Sequence, residues 1–190
     1  MKFKSIVFVI LLALPSLGNA ASIDIVALES GGDVVITASG SIDLTGLPVF
    51  GGAIITGGLV NPVGGSIFLG IAGISDIYSG GAATTTYGSG PLTESDGDTG
   101  LGGTLGTALG RLYVPAGYVS LDPLNKSSTY DNTTFAALGM DVGSYLWTFS
   151  NGETLSLQIG QVPIPAAAWL FGSALLGLAA VKRGKRKQNC

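Results

Sequence analysis

Glycine is scattered through the middle of this chain, between residues 31 and 160, among serines, threonines and β-branched residues. Glycine weakens helix interiors because it loses the most backbone freedom there, whereas β-branched side chains suit the pleated surface of a strand. A β-rich, turn-rich domain is therefore expected. The apolar residues recur at the strand period. Val34, Ile36, Ala38, Ile42 and Leu44 alternate with Thr37, Ser39, Ser41 and Asp43, as in a strand with one buried face. Tyr145, Trp147 and Phe149 alternate too, as do Leu155, Leu157 and Ile159. Residues 66–71, 111–114 and 118–121 are further short strand candidates, punctuated by Pro62-Val63-Gly64-Gly65 and Pro115-Ala116-Gly117. Several short strands in one domain predict an all-β fold, an antiparallel β-sandwich or jelly-roll. A repeat architecture would need a fixed period, and none is found.

The last two runs flank Asn151-Gly152, a tight-turn signal. A two-residue turn would set Phe149 opposite Thr154 and Trp147 opposite Ser156, placing aromatics and leucines on opposite faces. A register shifted by one sets Phe149 opposite Leu155 and Trp147 opposite Leu157, and one face becomes apolar. The pattern predicts an odd-length loop or a bulge at residues 151–154.

Charge is unevenly spread. All twelve acidic residues lie between Asp24 and Glu153, and Arg111 and Lys126 are the only basic residues among them, a formal charge of −10 for that stretch. Such a domain repels phosphate backbones, which argues against nucleic-acid binding. The chain has no histidine and one cysteine, Cys190, so no intramolecular disulfide can form.

Both ends read as targeting segments. Lys2 and Lys4 precede an apolar run at residues 6–14, and Gly18-Asn19-Ala20 offers small residues for cleavage before Ala21. That is the layout of a signal peptide, residues 1–20. At the other end, residues 162–181 are uncharged and long enough for one transmembrane helix. Trp169 stands near its outer side, and Lys182, Arg183, Lys185, Arg186 and Lys187 follow at once. The positive-inside rule keeps that basic tail in the cytoplasm and puts the acidic domain, residues 21–160, outside.

The tail carries a resemblance. Val162-Pro163-Ile164-Pro165, then Ala166-Ala167-Ala168-Trp169-Leu170-Phe171-Gly172-Ser173, Leu175-Leu176-Gly177-Leu178 and the basic cluster resemble the VPLPA variant of the PEP-CTERM sorting signal. Ile164 stands where that variant usually has Leu. The resemblance implies that residues 161–190 are read by an exosortase, a membrane-embedded cysteine transpeptidase of Gram-negative bacteria that make extracellular polysaccharide. It makes this chain a substrate, with no catalytic role for Cys190. Residues 30–44, 129–135 and 143–149 are similar to the opening and closing strands of many PEP-CTERM ectodomains, a type with no activity to carry over. The implied partners are the Sec translocon, the exosortase and the inner membrane, with extracellular polysaccharide as a further candidate. The implied route is an inner-membrane intermediate followed by the cell surface.

Catalytic chemistry finds little footing. Without histidine the commonest general base and metal ligand are missing, and there is no Gly-x-Ser-x-Gly elbow. Twelve scattered acids always permit a carboxylate pair on paper, so such a pair carries no weight. Glu94, Asp96 and Asp98 alternate in a glycine-containing loop that can offer three oxygens to calcium, although a solvated loop explains them as well. No other cofactor is indicated. A non-catalytic surface or matrix protein is the primary expectation. A carbohydrate-binding or adhesive β module, with Tyr113, Tyr118 or Tyr130 as exposed platforms, is the alternative, and a hydrolase comes third.

Overall fold

The computed structural model describes residues 21–81 and 85–160. The signal segment and the sorting tail, including Val162, Pro163, Ile164, Pro165 and the basic cluster, lie outside the described residues. In chain order the strands are β1 (Ser22–Ser30), β2 (Asp33–Gly40), β3 (Val49–Ile55), β4 (Leu59–Asn61), β5 (Ser66–Leu69), β6 (Gly73–Tyr78) and β7 (Thr93–Glu94). They continue as β8 (Gly97–Thr99), β9 (Leu105–Ala108), β10 (Arg111–Pro115), β11 (Leu124–Tyr130), β12 (Gly143–Thr148) and β13 (Thr154–Ile159). Among the described residues there is no helix, and so none that could cross a membrane.

The strands form two sheets. The first has the order β12-β13-β1-β2-β11-β8, the second β3-β6-β10-β9-β5-β4-β7. Period-two patterning decides what each sheet turns inward. Ile23, Ile25 and Ala27 of β1, Val34, Ile36 and Ala38 of β2, and Leu155, Leu157 and Ile159 of β13 are buried. They share one core with Val60, Ile67, Leu69, Leu105, Leu112 and Val114 of the second sheet. Two sheets closed over one apolar layer make a β-sandwich. The pairing is mainly antiparallel, as expected; among the described strands the exception is in the first sheet, where β1 runs parallel to β13, with Ile23 opposite Leu155 and Ala27 opposite Ile159. Only there do the first and last strands of the domain meet.

The second sheet also carries a small apolar cluster on its outer side. Phe68, Ile77 and Tyr113 pack with Ala53, Ile55 and Leu59, and the Phe68 and Tyr113 rings meet edge to face at 4.8 Å. Gly106 stands between them in the register, opposite both Phe68 and Tyr113. A Cβ there would lie 2.8 Å from the Phe68 ring, so the missing side chain is what lets the two rings touch.

The alternation at residues 34–44 ends as a strand at Gly40. The residue has φ +134°, and a Cβ on it would lie 2.1 Å from the Ser22 carbonyl oxygen. Beyond it, Ile42 and Leu44 bury or half-bury their side chains outside any ladder. Residues 118–121 are likewise not a strand. The two segments hold each other through side chains: Ile42 N–H donates to Tyr118 Oη at 3.1 Å and Leu44 N–H to Ser120 Oγ at 2.9 Å. Leu121 N–H returns a bond to the Ile42 carbonyl at 3.0 Å. Hydrogen bonding is satisfied without strand geometry.

The last hairpin has the odd-length loop its pattern requires. Phe149 N–H donates to the Glu153 carbonyl and Gly152 N–H to the Phe149 carbonyl, both at 2.9 Å. Gly152 has φ +88°. Ser150, Asn151 and Gly152 thus form a three-residue loop whose last residue is left-handed. Trp147 and Leu155 share one face as expected. The partners lie two residues from the expected ones: Trp147 faces Leu155 and Tyr145 faces Leu157. A shift of two keeps every side chain on its face.

Candidate functional site

The acidic loop was the strongest candidate for ion chemistry, and the two-sheet topology divides it. Glu94 ends β7 in the second sheet, whereas Asp98 sits in β8 of the first. The chain crosses between sheets at Ser95 and Asp96. The Asp98 carboxylate accepts from Gly58 N–H at 2.9 Å, Ser95 Oγ at 2.8 Å and Ser128 Oγ at 2.5 Å. Asp96 instead accepts from Asp131 N–H at 2.8 Å, and the Glu94 side chain is exposed. The loop therefore works as a clamp between the sheets. Gly58 precedes β4, Ser128 lies on β11, and Ser128 Oγ also accepts from Gly70 N–H at 3.2 Å. Among the described residues, no group of three or more Asp, Glu or Cys side chains is placed to hold a metal ion.

The proposed aromatic platforms are not surface platforms. Tyr130 is 1% exposed and Tyr113 is buried beside Phe68. Tyr118 is half-buried, and its hydroxyl donates to the Asp122 carbonyl at 2.7 Å. A tyrosine that sequence reading did not single out is the central one. Tyr87 is fully buried, donates to the Ser66 carbonyl at 2.5 Å and accepts from Asn61 N–H at 3.1 Å. Its ring stands edge-on to Tyr145 and Trp147. Burial raises the ionisation points of Tyr87 and Tyr130 well above that of a free tyrosine. No short motif marks Tyr87, because its partners are backbone groups brought together by folding.

Lys126 is the other feature missed. It is 4% exposed on β11, and its ammonium donates to the carbonyl oxygens of Leu101 and Gly103. Burial lowers its pKa. It pins the glycine-rich turn before β9 onto the first sheet, so one of the domain's two cations is used internally. The other, Arg111, lies over the Phe50 ring, 3.7 Å from the centroid, within cation–π range.

The open surface of the first sheet holds two shallow grooves. The larger, about 770 Å³, is lined by Ser22, Asp24, Ser41, Pro123 and Asn125 among others. Its one carboxylate, Asp24, accepts from Ser156 Oγ at 2.7 Å. The smaller, about 300 Å³, is lined by Thr37, Ser39, Thr99 and Ser127 with no carboxylate. Register explains this chemistry: Ser156, Asp24, Ser39 and Asn125 stand in one row across β13, β1, β2 and β11. The face offers hydroxyls and amides in rows, and neither groove brings together the carboxylate pair that glycoside hydrolysis requires. Comparison with known protein families, curated proteins and solved structures gave no significant match.

Proposed function

We propose that this chain is a non-catalytic surface or extracellular-matrix protein, exported and processed through an exosortase-type sorting system in a polysaccharide-producing Gram-negative bacterium. The observation that carries this reading is the order of the C-terminal segments: Val162-Pro163-Ile164-Pro165, an uncharged run to residue 181, then Lys182, Arg183, Lys185, Arg186 and Lys187. The apolar run would hold the chain at the inner membrane far more firmly than a single acyl chain does. The basic cluster would orient it and present the proline motif on the outer face. The β-sandwich suits such a role, since it closes over its own core without a disulfide.

Mass spectrometry of the mature protein from its native host tests this. The expected form begins at Ala21 and lacks the tail beyond the proline motif. Replacing Pro163 and Pro165 should leave insertion intact and block processing, while removing the basic cluster should impair topology. If only chains ending at Cys190 are found with an exosortase present, the reading fails.

A second reading, contact with extracellular polysaccharide, is favoured by the hydroxyl and amide rows of the first sheet, which can hydrogen-bond to sugars. Co-sedimentation of the protein with its host's polysaccharide checks it. Loss of pelleting in Ser39→Trp, with the fold unchanged, would assign the face.

A further inference from the structure

A sandwich of two open sheets has four edges, and three of these are guarded. β8 is three residues long and carries Asp98; β7 is two residues long and carries Glu94. Just beyond the two ends of β12 other backbone is bonded to the chain: Gly81 bridges to Phe149, Ser150 N–H donates to the Gly80 carbonyl, and Asp141 N–H donates to the Tyr87 carbonyl. Short strands, charges and coverage are the usual protections against edge pairing. The fourth edge, β3, is different. It is seven residues long and uncharged, and among the described residues no strand pairs with its outer side. Among the described residues its protection is a bulge between Val49 and Gly51, which leaves residues 51–55 in regular register with β6. Ile54 is 77% exposed, and its partner across the ladder, Ile74, is 58% exposed.

Gly52 adds a second observation. Its φ is not in the left-handed region, and a Cβ on it would meet only the Ser75 carbonyl oxygen at 3.4 Å, an ordinary contact. The fold of one chain does not require glycine there, although glycine weakens a strand. A glycine inside a strand marks either a bulge, such as the one beside it between Val49 and Gly51, or a place where another backbone can approach closely.

We propose that β3 is a self-pairing edge, joining two copies of this chain through antiparallel β3–β3 contact about a two-fold axis at Ala53. The segment is complementary to itself. Antiparallel pairing centred on Ala53 sets Ile54 of one copy opposite Gly52 of the other, and Ile55 opposite Gly51, so large residues fill the spaces over small ones. Facing residues then lie on matching sides of the joined sheet. β3 itself carries no charge in a domain of charge −10; beside it stand one cation, Arg111 over the Phe50 ring, and one carboxylate, Asp76 opposite Gly52 on β6. With the other three edges guarded, pairing closes as a dimer and does not continue as a fibre.

Cysteine cross-linking in the full chain tests this, with Cys190→Ser as background and a mild detergent to disperse the tail. Facing Cα atoms in an antiparallel pair lie about 4.5–5.5 Å apart, within disulfide range. Ala53→Cys should therefore oxidise to a covalent dimer, while Asn125→Cys, exposed on the other sheet, should remain largely monomeric. Adding Ile54→Lys or Gly52→Val should reduce the Ala53→Cys dimer by about tenfold or more, the equivalent of about 1.4 kcal/mol of pairing. Both positions are exposed, and the near-ultraviolet signal of buried Trp147 reports whether each variant has kept its fold. Equal cross-linking of the Ala53→Cys and Asn125→Cys variants would overturn the proposal, as would ladders of higher oligomers unaffected by Ile54→Lys. An Ala53→Cys variant that neither cross-links nor reacts with a maleimide would also overturn it, showing that another segment or partner covers the edge.

Discussion

Tyr87 donates its hydroxyl proton to the carbonyl oxygen of Ser66 at 2.5 Å, from a side chain with no exposed surface. Tyr130 is as deeply buried, yet its hydroxyl has no hydrogen-bond partner among the described residues. The same substitution should therefore act differently at the two sites. Tyr87→Phe strands the Ser66 carbonyl and the Asn61 N–H and should cost about 1–3 kcal/mol. Tyr130→Phe removes an unsatisfied group and should be neutral or slightly stabilising. Urea unfolding of both variants checks the contrast.

Stability should change little across neutral pH and fall in alkali. No histidine titrates near neutrality. Burial raises the folded-state pKa of Tyr87, Tyr130 and Tyr118 above the usual value near 10. Below pH 10 these groups are protonated in both states, and their contribution is constant. Above it the unfolded chain loses protons that the folded chain keeps, so stability falls by up to about 1.4 kcal/mol per pH unit for each buried tyrosine. Lys126 acts in the opposite sense. Its folded pKa is lowered, so the unfolded state binds more protons between that value and about 10.5, and stability rises there with pH. One lysine against several tyrosines leaves a net alkaline loss. Thermal melts from pH 6 to 11 test this, and the loss should be shallower in Tyr130→Phe.

The clamp at Asp98 should outweigh its acidic neighbours. Asp98→Ala removes three hydrogen bonds and should cost about 2–4 kcal/mol. Asp96→Ala, whose carboxylate accepts one exposed N–H, should cost about 1 kcal/mol or less. Added calcium should leave both melting temperatures unchanged. A calcium-dependent rise in the parent protein that vanishes in Asp98→Ala would reassign the loop as an ion site.

Gly40 and Gly117 both have positive φ, but only Gly40 is crowded. A Cβ at Gly40 would overlap the Ser22 carbonyl, while one at Gly117 would meet nothing within 4 Å. Gly40→Ala should cost at least about 2 kcal/mol, and Gly117→Ala about 1 kcal/mol from backbone strain alone. Chemical unfolding of the pair separates strain from overlap.

Much of the fold is legible along the chain. The alternations in β2, β12 and β13 mark strands because neighbouring residues of a pleated backbone point to opposite faces, and turn glycines mark where strands stop. The odd loop at Ser150-Asn151-Gly152 is legible for the same reason, since only an odd count puts Trp147 and Leu155 on one side. Ile42 and Leu44 continue the same pattern, yet they sit in a loop. Alternation records which residues are buried, and side-chain partners such as Tyr118 and Ser120 can bury them without a ladder.

The sequence alone determined the strand period, the acidic middle and the composition of the two ends, since each depends only on residue order. Tertiary structure decided which distant strands pair, as in the parallel contact of β1 with β13, and so which side chains meet. It separated Glu94 from Asp98 by sending β7 and β8 to different sheets, and it buried the tyrosines that composition would have left on the surface. Contacts between residues far apart depend on how the sheets close over their common core, and no local spacing encodes that closure.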